Sequence, residues 1–320
     1  MHKVLVVMDV LDEHIEQLNS VSSELDIRYI KGADVKPEDM EDVEVIVGNP
    51  SPYLLKSCNR LKLVQLCSAG TEGYIGDGII PEGAVLTNAT GAYGVAMSEF
   101  MLGTLLSLMK NLDMYKSNQG RHEWKDCGPM GAIYRSKTLV VGLGNIGCEF
   151  AMRMNALGST VTGIRRHTSD KPDYVSRICS MDDLHKCLKD ADVVASCLPG
   201  YADTLKVFDK AAFDAMKDGA YFINVGRGSA VDTEALCDAL VSKKLAGAAL
   251  DVTDPEPLPK EHRLWDIPNA LITPHVSGGY HVKEAHDRII QIAITNLKHL
   301  LNDEPFENLV DMTTGYRINH

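Results

Sequence analysis

The sequence of 320 residues predicts an α/β protein built from two doubly wound parallel sheets, and three observations carry that expectation. Short β-branched runs alternate with longer helical stretches from end to end, the pattern of βαβ units around parallel sheets. The chain exceeds the length at which one hydrophobic core usually keeps growing, so two domains are expected. A glycine-rich turn, Gly142-Leu143-Gly144-Asn145-Ile146-Gly147, stands between an apolar run and a helical pattern, as at the start of a nucleotide-binding βαβ unit.

Taken in order, the strands fall into two sets. Residues 3–9, 25–30, 43–49, 61–67 and 85–88 predict a five-stranded open sheet with crossover helices. Residues 137–141, 160–164, 193–198, 220–225, 247–252 and 270–273 predict a second sheet of six parallel strands. Between the sets, residues 95–118 are apolar at helical spacing through Met97, Phe100, Met101, Leu105, Leu108 and Leu112, which predicts one helix linking the domains. A second long helix is predicted over 282–301 and returns the chain. Residues 1–94 and 284–320 are therefore expected to form a discontinuous, flavodoxin-like substrate domain, and 95–283 a Rossmann dinucleotide-binding domain.

Composition narrows the function. A formal net charge of −12 without a long basic run argues against a nucleic-acid partner, because phosphate contacts need clustered Lys and Arg. The longest apolar candidate for a membrane span, residues 100–109, is too short and is interrupted by Gly103, and the N-terminus carries no leader pattern, so no membrane association and a cytoplasmic location are expected. Eight cysteines show neither a Cys-x-x-Cys pair nor a zinc-type histidine spacing. No metal and no disulfide framework are expected, and most of these thiols should be buried and reduced.

The glycine-rich turn has the context its chemistry needs. An apolar strand precedes it, and a helix with Ile146, Phe150, Met154 and Leu157 on its predicted buried face follows. Gly142 permits the turn, Gly144 lets backbone approach a pyrophosphate and Gly147 lets the helix pack close to the strand, while Asn145 and Ile146 open the helix whose free N–H groups meet the anion. At the end of the next strand an NAD enzyme usually keeps a carboxylate for the ribose hydroxyls; this sequence has Arg165 and Arg166. Two guanidinium forks suit a 2′-phosphate, so NADP is the expected cofactor, with NAD possible.

Three later segments complete a chemical set: Asn224-Val225-Gly226-Arg227-Gly228, Asp254-Pro255-Glu256-Pro257 and Thr273-Pro274-His275. Reduction of a 2-oxoacid needs a fork for the carboxylate, an acid for the carbonyl oxygen and a group that keeps that acid protonated. Arg227, His275 and Glu256 can supply these in turn. In an open α/β sheet the loops after strands converge on one crevice, which favours reading the three together. Tyr53, in a loop after a strand of the first set, is read either as a packed aromatic or as a border of the substrate's side chain.

Together these segments resemble the D-isomer-specific 2-hydroxyacid dehydrogenases. The resemblance runs through Cys67-Ser68-Ala69-Gly70-Thr71-Glu72, Thr87-Asn88-Ala89-Thr90-Gly91, Ser98-Glu99, the glycine turn, Leu198-Pro199, Asn224 to Gly228, Ala249-Leu250-Asp251-Val252 and Thr273-Pro274-His275. It implies that His275 is the acid/base, Glu256 its partner, Arg227 the substrate clamp and Asp251 a contact to the nicotinamide carboxamide. It further implies cofactor contacts at Leu198, Pro199 and Val225, and a carboxylate-binding loop at Ser68, Ala69 and Gly70. A homodimer built with His122-Glu123-Trp124-Lys125 is expected on the same ground. Tyr201 departs from the small or hydroxyl residue often found after Leu198-Pro199-Gly200 in the family. No regulatory extension follows the terminal helix, which points away from a multidomain phosphoglycerate dehydrogenase. The alternatives are an NAD-dependent enzyme of that kind and a dinucleotide-sensing corepressor.

Overall fold

The computed structural model describes residues 1–166, 171–279 and 282–318. In chain order the elements begin with β1 (His2–Val6), α1 (Asp12–Asn19), β2 (Leu25–Tyr29), β3 (Val45–Val47), α2 (Pro52–Leu55), β4 (Leu63–Gln65) and β5 (Val85–Thr87). They continue through α3 (Gly94–Met109), α4 (Leu112–Gly120), β6 (Lys137–Val141), α5 (Asn145–Ala156), β7 (Thr160–Ile164), β8 (Arg177–Cys179) and α6 (Leu184–Leu188). The last group is β9 (Val193–Ser196), α7 (Lys210–Ala215), β10 (Ala220–Asn224), α8 (Thr233–Val241), β11 (Leu245–Leu250), β12 (Ala270–Ile272) and α9 (Lys283–Asn302). The chain divides into two compact units, Met1–Tyr93 with Gly279–His320, and Gly94–Gly278.

The first unit holds a parallel sheet in the order β2-β1-β3-β4-β5, the flavodoxin-like arrangement. Its inner runs, Val4 to Val6 of β1, β3 and Leu63-Val64 of β4, are apolar toward both faces because both are covered. Val4, Val6, Val45, Val47 and Leu63 pack with Ile289, Ile290, Ala293, Ile294 and Leu297 of α9, whereas their neighbours Leu5, Ile46 and Val64 pack with Met40 and Leu55 on the other face. Alternation along the strands thus sorts one hydrophobic run into two cores. Buried Glu44 closes one end of this sheet, accepting from His2 Nδ1 at 2.7 Å, Lys62 Nζ at 2.8 Å and Arg60 Nη2 at 3.0 Å. Lys62 foremost, and then His2, hold its carboxyl down at about 2 against the opposing effect of burial.

The second unit holds a parallel sheet in the order β12-β11-β10-β9-β6-β7-β8. This is the doubly wound order with a strand more than the six expected. The addition is β8, three residues whose Arg-Ile-Cys sequence carries no periodic signal, held by pairing to β7 through Thr162, Gly163 and Ile164. The predicted helix over 95–118 is two helices, because Asn111 takes a left-handed backbone with φ of 54° and turns the chain between α3 and α4. Leu112 is consequently exposed, and so is Leu157, which caps α5 rather than continuing its buried face. Four cysteines are buried and four are half-buried, fewer in the core than expected. Among the described residues no helix is long and apolar enough to cross a membrane.

Candidate active site

The glycine turn follows β6 directly. Gly142 has φ of 96°, and a Cβ there would lie 2.7 Å from the Cys197 carbonyl oxygen; at Gly147 it would lie 2.3 Å from the Gly142 oxygen. No side chain fits either place, so the turn can stay flush against β9 and under α5. Gly144 is the opposite case: it caps α5, is exposed, and a Cβ on it would meet nothing within 4 Å. Open space over a bare backbone at a helix N-terminus, with exposed Asn145 and half-buried Ile146 beside it, fits a pyrophosphate.

Around this turn, Leu198 and Val225 are buried and Pro199 half-buried, with the Val225 N–H bonded to the Ser196 carbonyl at 3.1 Å. The Pro199 carbonyl accepts from Thr204 Oγ1 at 2.6 Å, which braces the segment that includes Tyr201. Half-buried Arg165 follows β7, its N–H bonded to the Cys179 carbonyl at 3.3 Å. Arg166 is exposed and its Nη2 meets Asp203 Oδ2 at 2.6 Å.

Parallel order β12-β11-β10 sets side by side the three loops that carry Arg227, Glu256 and His275. The Arg227 loop is pinned by Asn224, whose Nδ2 donates to the Arg227 carbonyl at 3.0 Å and whose Oδ1 accepts from the Gly226 N–H at 3.2 Å. The Glu256 loop is tied back by Thr233 Oγ1, which donates to the Asp254 carbonyl at 2.8 Å. His275 Nδ1 and Glu256 Oε1 stand 2.7 Å apart, both partly open to solvent. That bond leaves Nε2 as the ring nitrogen available to a reacting group.

Asp251 lies beneath this turn and is 1% exposed. Its Oδ1 accepts from Thr273 Oγ1 at 2.6 Å and the Val276 N–H at 2.9 Å, and its Oδ2 from the Ser277 N–H at 2.9 Å. Its carbonyl also accepts from the His275 N–H at 2.8 Å. Asp251 therefore scaffolds the histidine loop, and Thr273 is a member of that scaffold that pattern reading leaves without a role. The Ser68-Ala69-Gly70 loop, in the first unit, is similarly framed by asparagines. Asn49 Nδ2 donates to Ser68 Oγ at 2.9 Å and Asn88 Nδ2 to the Ala69 carbonyl at 2.9 Å, while Ser68 Oγ donates to the Gly70 carbonyl at 2.7 Å. Asn49 gave no signal beyond its place at a strand end. Tyr53, 75% exposed, is not a packed aromatic. Among the described residues one group of possible metal ligands, Glu13, His14 and Asp287, is found, and the Lys283 ammonium lies 2.9 Å from an oxygen of each of its two carboxylates.

Comparison with known proteins agrees with the fold. The family model described as D-isomer specific 2-hydroxyacid dehydrogenase, NAD binding domain, matches residues 102–277, and the chain belongs to that family. It is similar to glyoxylate/hydroxypyruvate reductase A of Citrobacter koseri, with 29% identity over 304 residues that span 90% of this chain and 94% of the relative. A solved family member from Aeromonas salmonicida subsp. salmonicida has a TM-score of 0.86 at 29% identity, covering 97% of this chain and 99% of that one. Another, from Xanthobacter autotrophicus Py2 in complex with NADPH and MES, has a TM-score of 0.84 at 26% identity, covering 98% and 99%.

Proposed function

We propose that this chain is an NADPH-preferring 2-oxoacid reductase that forms a D-2-hydroxyacid. The observation that carries the reading is the 2.7 Å bond between His275 Nδ1 and Glu256 Oε1, made by loops at the ends of adjacent parallel strands, with Arg227 in the loop after the next strand. The reduced dinucleotide, when bound, supplies the hydride. Charge then develops on the substrate's carbonyl oxygen, and a proton held on His275 Nε2 stabilises and neutralises it. Glu256 orients the ring through Nδ1 and so presents Nε2 to the carbonyl oxygen. In the oxidative direction the neutral ring takes the hydroxyl proton at the same atom.

Arg227 presents a planar fork to the substrate carboxylate and carbonyl, a geometry that lysine does not reproduce. Ser68, Ala69 and Gly70 form a second carboxylate-binding element through backbone N–H groups, and Tyr53 offers an aromatic face to the rest of the substrate. Gly142, Gly144, Asn145, Ile146, Gly147, Leu198, Pro199 and Val225 line the dinucleotide. Asp251 keeps acceptor capacity on Oδ2 for the nicotinamide carboxamide, since a carboxylate oxygen can accept twice. Arg165 and Arg166 take the 2′-phosphate; the exposed Arg166–Asp203 pair gives way at little cost because such pairs contribute about 0–1 kcal/mol. The fully exposed Trp124 in His122-Glu123-Trp124-Lys125 marks a homodimer surface, which sedimentation would show as twice the mass of the 35.0 kDa chain.

The test is absorbance at 340 nm with NADPH and then NADH against glyoxylate, hydroxypyruvate, pyruvate and branched 2-oxoacids. Turnover with at least one substrate is expected, about ten- to a hundredfold better with NADPH, since phosphate–guanidinium bonds are strong but screened at the surface. No turnover with any would favour a dinucleotide-sensing binding protein. Arg165→Asp should move the preference toward NADH, and an unchanged ratio would return the cofactor to NAD.

A further inference from the structure

The cysteine spacing gives no reason to pair Cys179 with Cys187, yet the fold brings their sulfurs to 3.4 Å. Cys179 ends β8 and Cys187 lies on α6; both are buried in the core of the second unit. Buried thiols are usually inert packing groups. This pair differs in having a cation beside it. Arg177, exposed at the start of β8, donates from Nε to Cys179 Sγ at 2.9 Å and from Nη2 to Cys187 Sγ at 3.5 Å. Cys187 donates its S–H to the same Cys179 sulfur. The Cys179 sulfur is thus the acceptor of two hydrogen bonds, one of them from a cation. Burial pushes the Cys187 thiol up to about 11, so it is the proton-bearing partner.

We propose that Cys179 and Cys187 are an oxidisable dithiol that hydroperoxides close to a disulfide, with an effect on the neighbouring cofactor-selecting segment. The Cys179 sulfur attacks a peroxide oxygen, the S–O bond forms as the O–O bond breaks, and an alcohol or water leaves. The Cys187 sulfur then attacks Cys179, the S–S bond forms as the S–O bond breaks, and hydroxide departs with the Cys187 proton as water. Two thiols are oxidised and one hydroperoxide is reduced. Closure needs the sulfurs to approach from 3.4 Å to about 2.05 Å.

That movement is transmitted by a short path. Cys179 pairs with Ile164 in the sheet, and its carbonyl accepts the Arg165 N–H at 3.3 Å. Displacing Cys179 toward α6 strains this bond, so oxidation should weaken NADPH binding about fivefold, the worth of one modest hydrogen bond, and NADH binding less. This consequence rests on the assignment of Arg165 to the 2′-phosphate; the chemistry of the sulfurs does not.

The experiment treats the whole protein with limiting hydrogen peroxide, blocks remaining thiols by alkylation and maps peptides by mass spectrometry. The expected product is a peptide pair joined through 179 and 187, lighter by two hydrogens, reversed by dithiothreitol and formed before the other cysteines oxidise. Cys187→Ser should stop the reaction at a Cys179 sulfenic acid that dimedone traps, and Arg177→Met should slow it. Both thiols remaining alkylatable while other cysteines oxidise would overturn the site. A disulfide that leaves NADPH affinity unchanged, in a protein whose reduced form prefers NADPH, would overturn the coupling. Equal binding of NADPH and NADH by the reduced protein would instead remove the cofactor assignment and leave the disulfide result standing.

Discussion

His275 has φ of 53°, in the left-handed region that non-glycine residues rarely occupy. Its N–H is held there by the Asp251 carbonyl at 2.8 Å and the Thr273 carbonyl at 3.1 Å, and such local strain persists only where surroundings over-determine it. The proposed acid is therefore aimed by backbone as well as by Glu256. His275→Asn is the informative variant, because asparagine tolerates this backbone while lacking the ring. Turnover should fall about 10²- to 10⁴-fold with NADPH affinity retained, the usual worth of general acid catalysis. Stopped-flow reduction and fluorescence titration read the two quantities, and near-normal turnover would remove the imidazole from the mechanism. For Arg227, the lysine variant keeps charge and loses the fork. Its kcat/KM should drop more than about tenfold, equivalent to about 1.4 kcal/mol, and equal efficiency would show that charge alone suffices.

At the scale of elements, the legible features were those with a period or a fixed chemistry. The strand runs, the glycine turn and the loops bearing Arg227, Glu256 and His275 could be placed because alternation, backbone freedom and functional side chains all leave marks in sequence. What escaped lacks such marks. Strand β8 is made by pairing to β7 rather than by propensity, and the break at Asn111 depends on a single left-handed residue within an apolar pattern. Thr273 and Asn49 act through hydrogen bonds to groups distant in sequence, which spacing does not reveal.

The Glu44 cluster, another long-range contact, gives a pH prediction for the first sheet. Its carboxyl is held at about 2, below the ordinary value, so the stability it contributes is present above the unfolded value near 4.5 and is lost as pH falls toward 2. Glu44→Gln should destabilise the protein by about 1 to 3 kcal/mol at pH 7, with the difference closing below pH of about 3, because the cations then lose a paired buried charge in both forms. Denaturant unfolding across pH measures this, and a penalty that stays constant down to pH of about 2 would show that packing, not charge, is at stake.

Across the whole molecule, the net charge of −12 coexists with local cations at Arg165, Arg166 and Arg227, where the proposed anionic ligands bind. Solvent-exposed contacts of this kind are screened, so any preference for NADPH should shrink as salt rises while the reaction itself persists. The proposed function is hydride transfer to the carbonyl carbon of a 2-oxoacid, and a D product requires delivery to one face only. The most direct measurement is chiral analysis of the product formed from hydroxypyruvate and NADPH by the intact protein. Pure D-glycerate, formed in step with NADPH consumption, is the predicted result; L-glycerate, a racemate, or NADPH loss without hydroxyacid would contradict it.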